Sequence, residues 1–188
     1  MGELLPTEVR TGVCRASYAN VWEPKSVDGG REVYSVSIII PKSDKATLAD
    51  IKKAVKAAYD EGKTKLKGNG KTVPELDTLK TPLRDGDEER PDDEAYADNF
   101  FLNANNKDAP NIVDRFRDKI TDRSKVFSGV YCKFYINFYA FSKSGNKGIA
   151  CSLNSIQLIR DGESLGGGRR KAEDVFDVED DDDDAFLN

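Results

Sequence analysis

Between Val130 and Phe141 the chain alternates with period two, and its two faces differ in kind. Val130, Cys132, Phe134, Ile136, Phe138 and Ala140 form an apolar face suited to a core. Tyr131, Lys133, Tyr135, Asn137, Tyr139 and Phe141 form an aromatic row interrupted by a cation and an amide. A solvent face would carry Glu, Lys and Thr, and a core face would exclude Lys and Asn. Unpaired bases stack on rings spaced along such a row, while lysine neutralises the phosphates between them. Duplex bases are already stacked and would gain nothing from it. Packing beneath the long 63–110 insertion is the competing explanation, since tyrosine is common in strands for packing reasons alone.

The second chemically informative stretch is the last sixteen residues, Glu173 to Asn188. They carry nine carboxylates and no base, with an unbroken run of Asp180, Asp181, Asp182, Asp183 and Asp184 before Ala185-Phe186-Leu187-Asn188. Mutual repulsion opposes packing, so residues 173–188 are expected to form a disordered acidic tail. Phe186 behind the acids is expected to anchor in a pocket rimmed by Lys and Arg, which makes the tail a partner-binding element.

Removing the tail changes the charge balance. The chain has 29 bases and 34 acids in 188 residues; without the nine tail acids, 25 acids face 29 bases. Eight of those 25 lie between Asp85 and Asp98, so the rest of the body is basic and compatible with a polyanionic ligand. Arg115, Arg117 and Lys119 are candidates for its electrostatic support.

Other chemistries find less support. Histidine is absent, which removes the commonest general base and neutral metal ligand. Cys14, Cys132 and Cys151 are odd in number and far apart, so neither a disulfide framework nor a Cys-x-x-Cys site is expected. The acids Asp85, Asp87, Glu88, Glu89, Asp92, Asp93 and Glu94 lack calcium-loop spacing, and a solvated acidic loop explains them better than a metal cluster. Gly166-Gly167-Gly168 has no strand-to-helix frame and is no phosphate loop. No metal and no cofactor are expected. There is no leader-like segment and no apolar run near 18 residues, so a cytoplasmic protein without membrane contact is expected.

The elements that must position these residues are read as follows. Thr7 to Tyr18 is expected as a first strand, followed by a turn-rich connection through Trp22-Glu23-Pro24 and Asp28-Gly29-Gly30. Arg31 to Ile40 alternates as a second strand stopped by Pro41. Ser43 is placed to cap a helix whose stripe is Leu48, Ile51, Ala54, Val55, Ala58 and Tyr59, ending at Gly62. The lysines opposite that stripe fit a solvated face at least as well as DNA contact. Lys63 to Pro110 is read as an irregular functional insertion, and Asn111 to Ile120 stays unassigned between helix and strand. Phe127 to Ile159 is a long hairpin, with one extra residue near Asn154-Ser155 where the phase slips.

With these elements in hand, the chain resembles the phage-encoded single-stranded DNA-binding proteins of the podophage replication type, a family formerly catalogued as a domain of unknown function. The resemblance rests on Ser17-Tyr18-Ala19-Asn20-Val21-Trp22-Glu23-Pro24, Thr81-Pro82-Leu83-Arg84-Asp85-Gly86-Asp87, Gly129-Val130-Tyr131, the strand from Gly148 to Ile159, and Asp161-Gly162-Glu163. It implies a mainly β (α+β) chain with one or two helices, an OB-fold built as a five-stranded, partly open barrel with a long insertion. The expected organisation is a DNA-binding domain over 1–160, a flexible linker over 161–172 and the tail over 173–188.

The resulting expectation is a non-enzymatic, sequence-tolerant single-stranded DNA-binding protein of phage or prophage replication and recombination, acting in the bacterial host cytoplasm. Tyr131, Lys133, Tyr135, Tyr139 and Phe141 would contact DNA. The tail would recruit replication or recombination proteins and compete with DNA. A homodimer is carried as an option. Two rivals are a Mg-dependent nuclease using the Asp85 to Glu94 carboxylates, which predicts cleavage lost on replacing Asp85 and Asp87, and a protein-binding adaptor without DNA contact.

Overall fold

The computed structural model describes residues 2–26 and 29–165. The proposed linker is therefore covered only to Leu165. Gly166 to Gly168 and the acidic segment with Asp180, Asp181, Asp182, Asp183, Asp184 and Phe186 lie outside the described residues.

The long hairpin is the spine. Strands β7 (Tyr131–Lys143) and β8 (Asn146–Arg160) pair along their length, and the register skips Asn154 between Tyr135–Ser155 and Ile136–Leu153, so the expected bulge is present. The other edge of β7 takes β1 (Glu8–Arg10), with Val9 opposite Ile136, and then β2 (Cys14–Ser26), with Cys14 opposite Cys132. β2 pairs with β3 (Glu32–Pro41), β3 pairs over eight residues with β5 (Asn99–Asn106), and β5 meets β8 in a parallel contact at Asn105–Ser152. The path β2-β3-β5-β8-β7 thus returns to β2, a ring of five strands with one parallel closure. This is the order of an OB-type fold, mainly β, and its short closure makes it a ring of strands more than a sealed barrel. Short strands β4 (Arg84–Asp85) and β6 (Asn111–Val113) add to β5 and β8.

Period two places Val36, Ile38 and Ile40 of β3 inside with Leu102 and Ala104 of β5 and Cys132, Phe134, Ile136 and Phe138 of β7, all nearly inaccessible. Helix α1 (Lys45–Glu61) lays its apolar stripe on this core against β7, β1 and β8, and its lysines at 45, 52, 53 and 56 face solvent. All three cysteines are buried and free; burial pushes the Cys14 and Cys132 thiols up to about 12 and raises Cys151 as well.

Four readings of the sequence need correction. The first strand does not stop at Tyr18: the chain breaks near Gly12, and β2 runs through Trp22 and Pro24 to Ser26. Pro24 is tolerated because the ladder with β3 is interrupted between Asn20 and Lys25, so its missing N–H removes no ladder bond. The cap of α1 is Asp44, whose carboxylate accepts from the Thr47 amide at 3.1 Å, not Ser43. The 63–110 insertion is not structureless. It holds α2 (Lys63–Lys67), α3 (Gly86–Glu89) and the ring strand β5, giving three α-helices among the described residues.

After β8 the chain crosses the outside of the ring. Gly162 and Gly129 face each other so closely that a Cβ on either would strike the other segment's backbone, and Gly129 has φ +125°. Arg15 donates to the Gly129 carbonyl at 3.1 Å and the Glu163 carbonyl at 2.9 Å, and the Leu165 amide donates to Ser128 O at 2.9 Å. Leu165 then packs on a small outer cluster of Ile39, Tyr96 and Phe101.

Candidate nucleic-acid interface

The outer face of β7 is less open than its composition suggests. Tyr131 is flanked by guanidiniums, Arg160 at 4.1 Å and Arg15 at 5.3 Å from its ring centre. Tyr135 donates its hydroxyl to the Glu8 carboxylate, Asn137 accepts from Thr7 at 2.7 Å, and the Phe141 ring lies over Gly148 beside Lys80. Tyr139 is the exposed member, at 41 %, beside a 490 Å³ depression formed with Glu61, Gly62, Thr64 and Lys65. Its partial burial raises the phenol above its ordinary value. Lys133 pairs across to Gln157, whose amide reaches the carbonyls of Asp114 and Arg115 at 3.4 Å, so the turn bearing Arg115 and Arg117 stands one strand from Lys133. Lys119 lies at the base of that turn, opposite Val113. The structure therefore gathers Lys133 with the basic turn, leaves Tyr139 accessible, and commits Tyr131, Tyr135 and Phe141 to internal contacts.

A second surface was missed. Across β2, β3 and β5 runs a groove of about 590 Å³ whose floor is small and polar: Ser35 and Ser37 from β3, paired with Asn105 and Asn103 from β5. Lys25 and Asn20 of β2 line one side, and Tyr18 and Arg90 stand over it. Among the described residues no carboxylate lines this groove.

Tyr18 is held there by its backbone. β2 carries one extra residue between Ser17–Ser37 and Asn20–Ser35, and within that bulge Tyr18 has φ +45° and is 57 % exposed. A residue with a Cβ pays about 1–2 kcal/mol in this region, so the bulge holds the ring out at a cost to folding. Asn20 braces the bulge by donating to Tyr18 O at 3.2 Å and Ser35 Oγ at 3.3 Å.

Arg90 is positioned by the acidic segment. Lys42 bonds Asp85 at 2.8 Å and Asp87 at 2.7 Å; Asp85 caps α3, and Asp87 accepts from the Asp98 amide at 2.9 Å. These bonds hold both carboxyls below the ordinary aspartate value and raise the Lys42 ammonium. The turn they fix ends at Arg90, whose guanidinium lies 5.5 Å from Tyr96, 5.8 Å from Phe101 and 5.4 Å from Tyr18. Tyr96 and Phe101 meet edge to face at 5.0 Å, and the Tyr96 hydroxyl donates to Ser37 at 2.9 Å. Asp85 and Asp87 are thus spent on Lys42 and on capping, and no cluster able to hold a metal is present among the described residues.

The groove could have been signalled by Asn103 and Asn105 alternating with Leu102 and Ala104, opposite Ser35 and Ser37 in the neighbouring strand. Nothing in the spacing marks Tyr18 or Arg90, because a bulge and a distant capped turn bring them together.

Comparison with known proteins gives one consistent picture. Residues 7–186 match the family model described as Enterobacter phage Enc34, ssDNA-binding protein. Protein p50 of Acyrthosiphon pisum secondary endosymbiont phage 1 is 30% identical over 178 residues, 90% of this chain and 92% of that protein. Among solved structures, the single-stranded DNA-binding protein from bacteriophage Enc34 in complex with ssDNA is similar with a TM-score of 0.69 at 20% identity, covering 88% of this chain and 97% of that one. The single-stranded DNA-binding protein gp2.5 of bacteriophage T7 is similar with a TM-score of 0.60 at 17% identity, covering 90% and 94%.

Proposed function

This chain belongs to the Enc34 family of phage single-stranded DNA-binding proteins, and from that membership we propose that it binds single-stranded DNA with little sequence preference in the groove across β2, β3 and β5. The observation that carries this reading is the groove itself: a polar floor, a ring held out by a bulge, two cations and, among the described residues, no carboxylate. In OB-type rings the second and third strands form the face that takes oligonucleotides, and here those strands are β3 and β5. Tyr18 supplies a stacking surface, Lys25 and Arg90 meet phosphates, and the serines and asparagines offer hydrogen bonds to any base.

The β7 row is a second contact in this reading. Tyr139 is its open ring and Lys133 its cation, with Arg115, Arg117 and Lys119 adding charge; Tyr131, Tyr135 and Phe141 set the shape of that face. The role is non-enzymatic, in phage DNA replication and recombination in the host cytoplasm. None of the helices among the described residues is long and apolar enough to cross a membrane. Asp180 to Asp184 and Phe186 recruit other replication or recombination proteins and compete with DNA for the groove.

Titration of a fluorescently labelled oligothymidine, with unlabelled duplex as competitor and magnesium present, tests this. Tight binding that duplex does not displace, with the oligonucleotide intact and affinity lost in Tyr18→Ala, is expected. Cleavage, or preference for duplex, would overturn it.

A further inference from the structure

Phe116 is the most exposed of the large apolar side chains among the described residues, at 75 %, and the proposed groove does not use it. It stands at the tip of a short hairpin. Buried Ile112 and Ile120 anchor the base, joined by the Ile120 amide to the Ile112 carbonyl at 3.0 Å, and Val113 bridges Lys119. The tip is closed from within. The Asp114 carboxylate accepts from the amides of Phe116 at 2.8 Å and Asp118 at 2.9 Å, the Asp114 amide donates to the Asp118 carbonyl at 2.9 Å, and the Arg117 amide donates to the Asp114 carbonyl at 3.0 Å. Arg117 takes φ +72° to complete it. A ring in water on a turn this well bonded serves no packing purpose.

We propose that this tip carries the β7 contact outward beyond Lys133, with Phe116 stacking on an unpaired base while Arg115 and Arg117 meet the flanking phosphates. The inference rests on the reading of the chain as a single-stranded DNA-binding protein but concerns a site apart from the groove. A protein partner would call for a contiguous apolar patch, whereas this is one ring flanked by two guanidiniums, with the Arg115 guanidinium 6.0 Å from the ring centre. The three cations at 115, 117 and 119 outnumber the two acids of the turn, Asp114 and Asp118, and the Asp114 carboxylate is turned onto backbone amides. The groove and the tip lie along one strand. Asn105 lines the groove and pairs with Ser152, and five residues on, Gln157 touches the turn, roughly 15–17 Å away at the rise of a strand. A bound strand a few nucleotides longer than the groove would reach it.

The test compares a short oligothymidine that fills only the groove with a longer one, using Phe116→Ala, Phe116→Trp and the double variant Arg115→Gln/Arg117→Gln. Phe116→Ala should weaken the long oligonucleotide by about fivefold or more and leave the short one unchanged. Phe116→Trp should retain affinity, and the long oligonucleotide should quench its added fluorescence beyond that of Trp22. The arginine variant should flatten the salt dependence for the long oligonucleotide only. Unchanged affinity of Phe116→Ala at both lengths, or an unquenched indole, overturns the proposal. Failure of the groove reading has a different signature, since Tyr18→Ala would then bind both lengths like the parent.

Discussion

The guanidinium of Arg90 lies 5.4 Å from the centre of the Tyr18 ring, although the two residues are 72 positions apart. One comes from a bulged strand and the other from the end of a capped turn. Their proximity exists only once β3 and β5 have paired, and it sets a cation beside an exposed aromatic surface above a polar floor.

Tyr18→Ala should lower single-strand affinity by about 1–3 kcal/mol, the usual worth of one stacked base. Tyr18→Gly should lose the same affinity yet fold more stably than Tyr18→Ala by about 1 kcal/mol, because glycine accepts positive φ without strain. Parallel oligothymidine titrations and urea melts read both quantities. Equal stability of the two variants would remove the strained bulge from the account.

On β7 the same measurements should separate members of one aromatic row. Tyr139→Ala should lower affinity by about 1–3 kcal/mol with little change in stability. Tyr135→Ala breaks the bond to Glu8, so it should cost about 0.5–1.5 kcal/mol of stability and leave the affinity of the folded protein near that of the parent. Lys133→Ala should reduce the slope of log affinity against log salt by roughly 0.7. A Tyr139 variant that binds like the parent would take the β7 row out of the DNA path.

The Lys42 clamp should make stability fall in acid. Asp85 and Asp87 are held below their ordinary value of 3.8, so their contribution is complete above that pH and is lost as pH falls through the depressed values. Lys42 is raised, so its side of the clamp persists past the ordinary lysine range and adds no change near neutrality. Lys42→Met should flatten the acid limb of a pH-dependent melting profile. It should also weaken DNA binding by loosening the turn that ends at Arg90. An acid limb identical to the parent's would show that the clamp contributes nothing to folding.

On the proposed competition of the tail carboxylates with phosphate for cations, truncation after Lys171 should tighten single-strand binding, most strongly at low salt, where screening is weakest. Phe186→Ala should keep most of that competition while losing capture of partner proteins. Affinity unchanged by truncation at low salt would leave the acidic run without a role at the groove.

Period two in Val130–Phe141 and Cys151–Leu158 carried the hairpin and its bulge at Asn154, although the strands run on through the expected Ser142–Gly148 connection to a turn at Ser144-Gly145 and a second register shift lies between Tyr131 and Cys132; spacings of three and four carried α1. The ring was harder to read because β5 is a strand written in Asn and Phe, set among acids and glycines that resemble loop. Its place depends on partners about 60–70 positions before it and about 50 after. The site is harder still. Ser35, Asn103, Tyr18 and Arg90 are each unremarkable where they stand, and only the ring makes them neighbours. The aromatic row on β7 was legible because one strand contains it, but the arginines and the glutamate that occupy two of its tyrosines come from elsewhere in the chain.

The anchoring of residues 161–165 fixes where the rest of the chain begins. Leu165 rests on Ile39, Tyr96 and Phe101, the rings that carry Arg90 and, through the Tyr96 hydroxyl, bond Ser37 on the groove floor, so the described chain ends one layer of side chains from the groove. A ligand held on a short tether acts at an effective concentration near the millimolar range, whatever the concentration of protein in the tube. The competition proposed for the acidic run would be intramolecular and should survive dilution: it would be as strong for a single molecule as in a crowded cell, and salt, DNA or a partner that takes hold of the end would relieve it.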